Sequence, residues 1–528
     1  MGQSVWKIVK GMAISSLLLS NFSFADVGNS GAAPSGNVFT FRIRGEPETL
    51  DWNLAHSLVE ADLLMNLMEG LVTFNNESKI VPALANAWDV SADGKVYTFH
   101  LRPGVKWSDG VTLKAQDFVY SWKRLLSRVN AAPYAYFLFD IVGAEDFNKG
   151  EIQDFEQVGI KALDELTLQV KLQSPVAHWI QIPAFWVTFP LRQDVVEKNG
   201  NHWQAPGRIV TLGAYTLEAH DIDSKFVLRA NPNYFGIPGN VDKIVALVVK
   251  DDAAALSLYE TGAIDFLSDL ALGDIKGRAG KPDLKTFPQF KTGFLSFVSN
   301  KYPVSNLKFR RAIAMAIDKT KIRDLFPGVQ FPATSLVPPG MMGYSKEAGL
   351  PFNPSLAKVE LIRSGVEVSG LTLQYLIPNW DRSLSVAEFV KSELRKNLGI
   401  EVAMHPMENK AYRVQLGFHA NPLFDFSWTA DYSDPDTFLS LFLSTSGNSA
   451  TAWTNPVFDF LVMKARRSQS AVEREKLYND LQKILLQDEA IIVPLYYEPN
   501  LVLIKPRVKN IELNSLGYLY LRRVSVGF

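Results

Sequence analysis

The chain has 528 residues, which is more than one compact core usually holds, so two or three domains are expected. Its 54 Lys and Arg residues nearly balance its 55 Asp and Glu residues, and this argues against nucleic acid or an anionic membrane as the main partner. The absence of cysteine excludes disulfides, thiolate nucleophiles and cysteine metal sites.

The amino terminus has the pattern of a cleaved signal peptide. Lys7 and Lys10 precede an apolar run at residues 12–19, and small residues at Ser23 and Ala25 predict cleavage after Ala25. A membrane anchor is the alternative, but the run is too short to span about 30 Å of hydrocarbon. With no cysteine to carry a lipid anchor, the sequence predicts an exported protein that is free in the periplasm.

The first half of the chain reads as strands and helices separated by glycine turns. Phe39, Phe41 and Ile43 alternate with polar residues and predict a strand at 38–44. Asp93-Gly94 predicts a tight hairpin turn. Further predicted elements are a helix at 59–71, a strand at 96–101, a helix at 116–126, a strand at 163–172, a strand at 242–249 and a helix at 253–259.

The second half repeats a strand-helix-strand order. The order is typical of an α/β lobe. The predicted elements are strands at 294–300, 371–377, 400–404 and 490–497, and helices at 309–317, 384–398, 458–465 and 472–487.

The stretch at 424–443 combines several signals. Phe424, Phe426 and Trp428 alternate as in a half-buried strand, and Asp434 before a proline predicts a helix N-cap. Asp431 lies between the strand and the helix, among aromatic residues. From the residues alone it is either an ordinary turn residue or an acid that binds a cation in a pocket.

The segment Trp428-x-x-Asp431-Tyr432 with Asp434-Pro435 resembles that of the oligopeptide- and dipeptide-binding proteins of ABC importers, extracytoplasmic solute-binding protein family 5. Matching motifs are spread over nearly all of the chain that follows the predicted signal peptide. They include Trp88, Asp93-Gly94, Trp107-Ser108-Asp109-Gly110, Asp117-Phe118-Val119, Ser121-Trp122 and Asp318-Lys319-x-x-Ile322.

The resemblance implies an α/β protein with the two-lobed periplasmic binding protein fold and an extra inserted domain. It therefore implies three domains and a cleft that closes about a hinge, with chain crossings near residues 290 and 499. The expected boundaries are 1–25 for the signal peptide, 26–70, 193–290 and 500–528 for domain I, 71–192 for the inserted domain II, and 291–499 for domain III.

The resemblance also implies a function and a site. The protein is expected to capture a peptide between its lobes, as a monomer, and to deliver it to an inner-membrane ABC permease. Asp431 is expected to pair with the peptide's α-ammonium group, and Trp428 to line a side-chain pocket. Tyr432, Tyr134 and Asp381 fall at or near other positions that contact ligand in the family.

Some positions depart from the family pattern and leave alternatives open. Phe297 stands where oligopeptide binders have an acid, and Asp425 lies near a position where they have a basic residue. The ligand is therefore a dipeptide, an oligopeptide or a cell-wall peptide. A non-peptide solute is the other alternative, since family members also bind nickel chelates, haem or sugars.

We predict that the protein is not an enzyme and binds no metal or cofactor. The chain has no G-x-S-x-G elbow and no cysteine, and its 7 histidines lack metal-ligand spacing.

Overall fold

The computed structural model of the chain describes residues 36–278, 280–325, 331–419, 421–446 and 450–527. The predicted signal peptide at 1–25 lies outside the described residues. In the described part of the chain, no helix is both long and apolar enough to cross a membrane.

Residues 38–287 form the first group of elements. Its strands are β1 Val38–Ile43, β2 Val72–Phe74, β3 Ile80–Pro82, β4 Ala85–Val90, β5 Val96–Leu101, β6 Ile160–Ala162, β7 Thr167–Lys171, β8 Tyr215–Asp221, β9 Lys225–Ala230, β10 Lys243–Val248, β11 Phe266–Leu267 and β12 Leu284–Phe287. Its α-helices are α1 Leu58–Leu67, α2 Ala115–Leu126, α3 Ala144–Lys149, α4 Gln193–Asn199, α5 Asp252–Glu260 and α6 Leu272–Arg278.

Residues 291–526 form the remaining elements. The strands are β13 Lys291–Phe297, β14 Phe331–Pro332, β15 Thr372–Pro378, β16 Glu401–Met407, β17 Leu423–Thr429, β18 Ile492–Tyr497, β19 Asn500–Ile504, β20 Val508–Lys509, β21 Glu512–Leu513, β22 Leu519–Tyr520 and β23 Ser525–Val526. The α-helices are α7 Leu307–Ala316, α8 Ile322–Leu325, α9 Pro354–Ser364, α10 Asp381–Leu398, α11 Asn409–Gly417, α12 Asp436–Leu439, α13 Pro456–Arg467 and α14 Ala471–Lys483. Short 3₁₀ helices lie at Arg128–Asn130, Ala135–Leu138, Phe155–Gln157, Trp179–Ala184, Trp186–Thr188, Gly200–His202, Lys319–Lys321 and Ser440–Phe442.

One large sheet has seven strands in the order β12-β19-β11-β1-β10-β9-β8. Its strand β1 is parallel to both neighbours, β10 and β11, and the alternating Phe39, Phe41 and Ile43 are all buried. Because parallel strands end at the same edge, the carboxyl ends of β1, β10 and β11 lie together.

The other large sheet has six strands in the order β14-β18-β13-β17-β15-β16. Strand β15 is parallel to β16 and β17, whereas β13 is antiparallel to β17 and β18. One face of this sheet, including Leu295 and Leu423, packs into a core with α7 and α10. A four-stranded antiparallel sheet has the order β4-β5-β7-β6.

The chain passes between the two large sheets twice, at residues 288–290 and at 498–499. From Asn37 onward it packs as one compact unit. The boundaries expected for three separate domains therefore stay a prediction.

Several predicted elements have different ends in the structure. Helix α1 ends at Leu67 rather than at 71, and the chain then packs so closely that a Cβ atom on Gly70 would lie 2.3 Å from the Pro183 carbonyl oxygen. The strand predicted at 163–172 is a hairpin of β6 and β7, because the Asp164 carboxylate accepts a hydrogen bond from the Leu166 backbone N–H (2.8 Å) and forms a turn.

Two corrections matter for the site. Strand β13 begins at Lys291 and helix α10 begins at Asp381, each three residues earlier than the sequence indicated. The first puts Lys291 opposite Thr429 in the sheet. The second makes Asp381 the first residue of a long helix.

Candidate ligand site

The predicted acids follow strands that end at one edge of the six-stranded sheet. Strands β15, β16 and β17 run parallel and end at Pro378, Met407 and Thr429. Asp381 and Asp431 come directly after two of these ends. In α/β sheets the crevice outside the carboxyl ends of parallel strands is where ligands bind, so the topology places both acids in a favourable position.

The backbone around Asp431 is held by hydroxyl groups. Thr437 Oγ1 accepts hydrogen bonds from the Asp431 backbone N–H (3.1 Å) and from the Trp428 indole N–H (3.3 Å). The Tyr518 hydroxyl donates to the Asp431 carbonyl oxygen (3.4 Å). These contacts fix the backbone of Asp431 and the ring of Trp428.

The two acids that follow Asp431 are each neutralised by an arginine. Arg466 binds the buried Asp436 carboxylate through two nitrogens, Nε at 2.6 Å and Nη2 at 2.9 Å. Arg474 binds the buried Asp434 carboxylate, which also accepts a hydrogen bond from the Tyr478 hydroxyl (2.8 Å). The segment is thereby anchored to helices α13 and α14.

Asp431 has no such cation. Burial raises the pKa of this half-buried carboxyl to about 7, and a hydrogen bond from the Thr437 hydroxyl opposes the shift. Among the described residues, no basic side chain contributes to lowering this pKa. A desolvated acid without a counter-charge is stabilised when a ligand brings a cation to it.

Aromatic side chains from distant parts of the chain surround this acid. Burial, and then the charge of Asp431, raise the pKa of the Tyr134 hydroxyl to about 12. The same two causes, in the same order, raise the pKa of Tyr136, which is 51% exposed. The Tyr134 ring packs against the rings of Phe185 and Trp186 at 5.3 Å and 6.1 Å between centroids. The charges of Glu60 and Arg413 also act on Tyr134, after that of Asp431. An acid beside aromatic rings suits an ammonium group attached to an apolar body.

Tyr432 is used inside the protein. Its hydroxyl donates to Asp436 Oδ2 (2.7 Å), and its ring stacks on the buried His178 ring with 4.7 Å between centroids. Next to it, the Ser433 backbone N–H donates to Gln181 Oε1 (2.7 Å). These contacts join the Asp431 segment to residues 178–181, so Tyr432 holds the segment and its hydroxyl is already bonded.

Asp381 lies apart from this group. It is exposed, and its backbone carbonyl accepts a hydrogen bond from the Ser385 hydroxyl (2.8 Å) as part of the first turn of α10. The structure therefore brings Trp428, Asp431 and Tyr134 together, while Asp381 stands at the neighbouring strand end.

A group of charged residues lies where the chain passes between the large sheets, and we call Lys291, Arg382, Asp425 and Glu498 the crossover cluster. Lys291 Nζ lies 3.0 Å from Glu498 Oε2, and Arg382 contacts the same carboxylate. Burial lowers the pKa of Lys291 to about 8 and raises the pKa of Asp425 to about 6. Asp425 Oδ1 and Arg382 Nε are buried and have no hydrogen-bond partner in the described structure.

Comparison with known proteins agrees with this topology. The sequence profile of the family "Bacterial extracellular solute-binding proteins, family 5 Middle" matches residues 79–450. The chain belongs to this family.

Two curated relatives from Escherichia coli strain K12 match this chain over nearly its whole length. The probable deoxycholate-binding periplasmic protein YgiS is 30% identical over 521 residues, which is 95% of this chain and 96% of the relative. The periplasmic murein peptide-binding protein MppA is 31% identical over 526 residues, 94% of this chain and 95% of the relative.

A solved structure, the unliganded open form of the murein tripeptide-binding protein MppA, superposes with a TM-score of 0.81 at 30% identity. The match covers 93% of this chain and 99% of that chain. The prediction of a two-lobed α/β solute-binding fold is thereby confirmed.

Sequence reasoning missed several residues of this family 5 site. The sequence gives no sign of the hydrogen bonds that Thr437 makes, because threonine is common in the first turn of a helix. Lys291 and Glu498 flank the two predicted crossings, so their opposite charges were a readable signal. Arg466 and Arg474 carried no signal in the sequence, since their pairing with Asp436 and Asp434 depends on how α13 and α14 pack.

Proposed function

We propose that this protein is a periplasmic receptor that captures peptides with a free amino terminus and delivers them to an ABC permease in the inner membrane. One observation carries the proposal. Asp434 and Asp436 are each paired with an arginine, whereas Asp431, which lies close to Tyr134, forms no ion pair among the described residues. A peptide's α-ammonium group supplies the missing charge.

The named relatives support the peptide class and the compartment. One of them, MppA, is named as a murein peptide-binding protein, and both are named as periplasmic proteins. In the proposal the site binds the peptide without reacting with it, because it offers an acid for the ammonium group and apolar surface beside it. In the proposal, domain III closes on domain I about the crossings at 288–290 and 498–499, and the receptor acts as a monomer.

Each predicted residue has a role in the proposal. Asp431 binds the ammonium group, and Trp428 and Tyr134 form apolar walls beside it. Tyr432 keeps the Asp431 segment in place through Asp436. Asp381 contacts a more distant part of a longer peptide from the neighbouring strand end.

The proposal is tested with tripeptides whose amino terminus is either free or acetylated. The purified mature protein is unfolded, dialysed and refolded to remove bound solute, and its thermal unfolding is followed with each peptide. A free peptide present at a hundred times its Kd is expected to add about 2.7 kcal/mol to the free energy of unfolding. The acetylated partner, which carries no ammonium charge, is expected to add almost nothing.

Equal stabilisation by both peptide forms would show that the amino terminus is not the anchor. If neither form binds, mass spectrometry of the protein before solute removal identifies what it carried. A non-peptide solute found there would refute the proposal.

A bile-acid-like solute is the second candidate, because one relative carries the name of a probable deoxycholate-binding protein. The aromatic walls around Tyr134 suit such an apolar body, but its carboxylate has no cation to meet at Asp431. Calorimetric titration with deoxycholate separates the two candidates. If the ligand is a peptide, deoxycholate should not bind in the cleft. If deoxycholate binds there and a free tripeptide displaces it, the bile-acid candidate is favoured.

The proposal predicts that peptide affinity falls in acid. Asp431 titrates with a pKa of about 7 without ligand, and a bound ammonium group lowers this pKa. The ionised form that binds is therefore about half populated at pH 7, predominant above it, and lost as the pH falls through 7. Affinity at pH 5 is expected to be up to about 100-fold below its value near pH 7.5.

Above about pH 8 the affinity falls again, because the peptide's own amine loses its proton. Isothermal titration at pH 5, 6, 7 and 9 checks this profile. A flat profile between pH 5 and pH 7 would contradict the assignment of Asp431 as the anchor.

A further inference from the structure

A cavity of about 450 Å³ lies away from the candidate ligand site, on the part of the chain between α7 and α9. Its walls come from four places: residues 317–320 after α7, residues 332–334 at β14, residues in the range 346–352 before α9, and Gln487 after α14. Ile317, Pro332, Leu350 and Phe352 make much of the lining apolar. Cavities of this volume hold small organic molecules.

Lys319 is the charged residue that sets the character of this cavity. Its Nζ atom lies along the wall at Gly349, where an added Cβ atom would come within 3.5 Å of it. Burial lowers the pKa of this ammonium group to about 8. Within the described part of the chain, the ammonium group has no ion pair and no hydrogen-bond acceptor.

Two of the acids near Lys319, Asp318 and Glu393, are already engaged by other groups. Asp318 Oδ1 accepts hydrogen bonds from the Thr320 backbone N–H (3.2 Å) and hydroxyl (2.6 Å), and its Oδ2 lies 3.6 Å from Lys321 Nζ. The buried Glu393 binds Lys321 at 2.8 Å. Glu347, the other acid of the lining, is exposed at the rim. The fold therefore neutralises Lys321 and leaves Lys319 without a partner.

Several polar groups of the cavity wall are bonded within the protein. Gln487 Nε2 donates to the carbonyl oxygens of Glu347 (2.9 Å) and Ala348 (3.0 Å), and the Gly349 N–H donates to the Thr334 carbonyl (2.7 Å). The wall thus presents apolar surface and the unpaired Lys319 ammonium group, with the exposed side chains of Lys346 and Glu347 at the rim. An unpaired charge held against apolar surface is unfavourable until an anion meets it.

We propose that this cavity is a second binding site, separate from the peptide cleft, that takes a small apolar carboxylate whose head group pairs with Lys319. The apolar tail of the ligand lies against Leu350, Pro332 and Phe352. A cationic molecule is disfavoured by Lys319, and a neutral one leaves the ammonium group unpaired. The site is independent of Asp431 and of the proposed peptide function.

The test uses octanoate as the probe, with octanol and octylamine as neutral and cationic analogues. Isothermal titration of the full mature protein at pH 7 is expected to show one octanoate site, with octanol at least tenfold weaker and octylamine not bound. Lys319→Met, which keeps most of the apolar stem and removes the charge, is expected to weaken octanoate binding at least tenfold. Lys346→Met is the matched control, since Lys346 is an exposed lysine of the same rim, and it is expected to change affinity by less than threefold.

Two further measurements separate this site from the cleft and from misfolding. Phe352→Ala removes apolar wall at an exposed position and is expected to weaken octanoate binding severalfold. Asp431→Asn is expected to leave octanoate affinity unchanged. The Lys319→Met protein is expected to bind free tripeptides as wild type does, and this binding shows that the variant is folded. Octanoate binding should also weaken as the pH rises from 7 to 9.5, because Lys319 loses its charge.

The proposal is overturned if wild type does not bind octanoate, if Lys319→Met binds it as well as wild type does, or if a tripeptide displaces it. If the Lys319→Met protein fails to fold, the Phe352→Ala variant and the pH series still test the proposal. Unchanged octanoate affinity in both measurements would overturn the proposal.

Discussion

Asp431→Asn is expected to weaken binding of peptides with a free amino terminus by about 30-fold to about 4,000-fold. Removing one partner of a desolvated charge pair costs about 2–5 kcal/mol, and each 1.4 kcal/mol is about tenfold in affinity. Asparagine keeps the size of the side chain and one acceptor oxygen, so the change isolates the charge. Calorimetric titration with one free tripeptide and its acetylated form measures the loss.

The same substitution is expected to leave the ligand-free protein at least as stable as wild type at pH 8. The pKa of Asp431 is raised above its unfolded value, so its contribution to stability is present in acid and is lost as the pH rises from about 4 through 7. Asparagine removes this loss. A residue that lowers the stability of the ligand-free protein but strengthens ligand binding shows the trade-off expected of a binding-site residue.

Two control variants define the result. Asp480→Asn, at an exposed position of α14, is expected to change neither affinity nor stability. Asp381→Asn is expected to have a smaller effect than Asp431→Asn, and only with longer peptides. Equal losses for Asp381→Asn and Asp431→Asn would contradict the assignment of Asp431 as the single anchor of the ammonium group.

Arg474→Met is expected to lower the free energy of unfolding by about 3–5 kcal/mol. Arg474 and Asp434 are both buried, and removal of the arginine leaves the Asp434 carboxylate without a counter-charge in the core. Methionine retains much of the apolar stem of arginine, so the loss reports mainly the charge pair. Unfolding by urea, followed by tryptophan fluorescence, measures it.

The double variant Asp434→Asn with Arg474→Met is expected to be more stable than Arg474→Met alone, because it contains no unpaired buried charge. Arg467→Met is the matched control, since Arg467 is exposed, and it is expected to stay within about 0.5 kcal/mol of wild type. A double variant no more stable than the single one would show that Arg474 acts through packing rather than through Asp434.

Much of the fold could be read from local patterns. The alternation of Phe39, Phe41 and Ile43 predicted a strand, and these residues are buried in β1. Turn glycines such as Gly94 and Gly110 adopt the positive φ that their sequence context indicated. The prediction was wrong at the end of α1, where the chain leaves the helix after Leu67 and Gly70 instead lies against the carbonyl of the distant Pro183.

The candidate site was readable only in part. The place of Asp431 after an aromatic strand, and its likeness to one family's motif, depend on neighbours within a few residues, so the sequence by itself determined the family and the candidate acid. It did not show that Asp434 and Asp436 are neutralised while Asp431 is not. Their partners, Arg474 and Arg466, lie 40 and 30 residues away, and the Tyr518 hydroxyl that bonds Asp431 lies 87 residues away.

Only the tertiary structure decided which charges are paired, and the same holds for Lys319 and Lys321. Two lysines two residues apart look equivalent in the sequence, yet one meets Asp318 and Glu393 while the other lines a cavity without a partner. Secondary structure follows from local propensity and periodicity, which sequence displays. Charge compensation and burial follow from contacts between distant segments, and these exist only once the chain has folded.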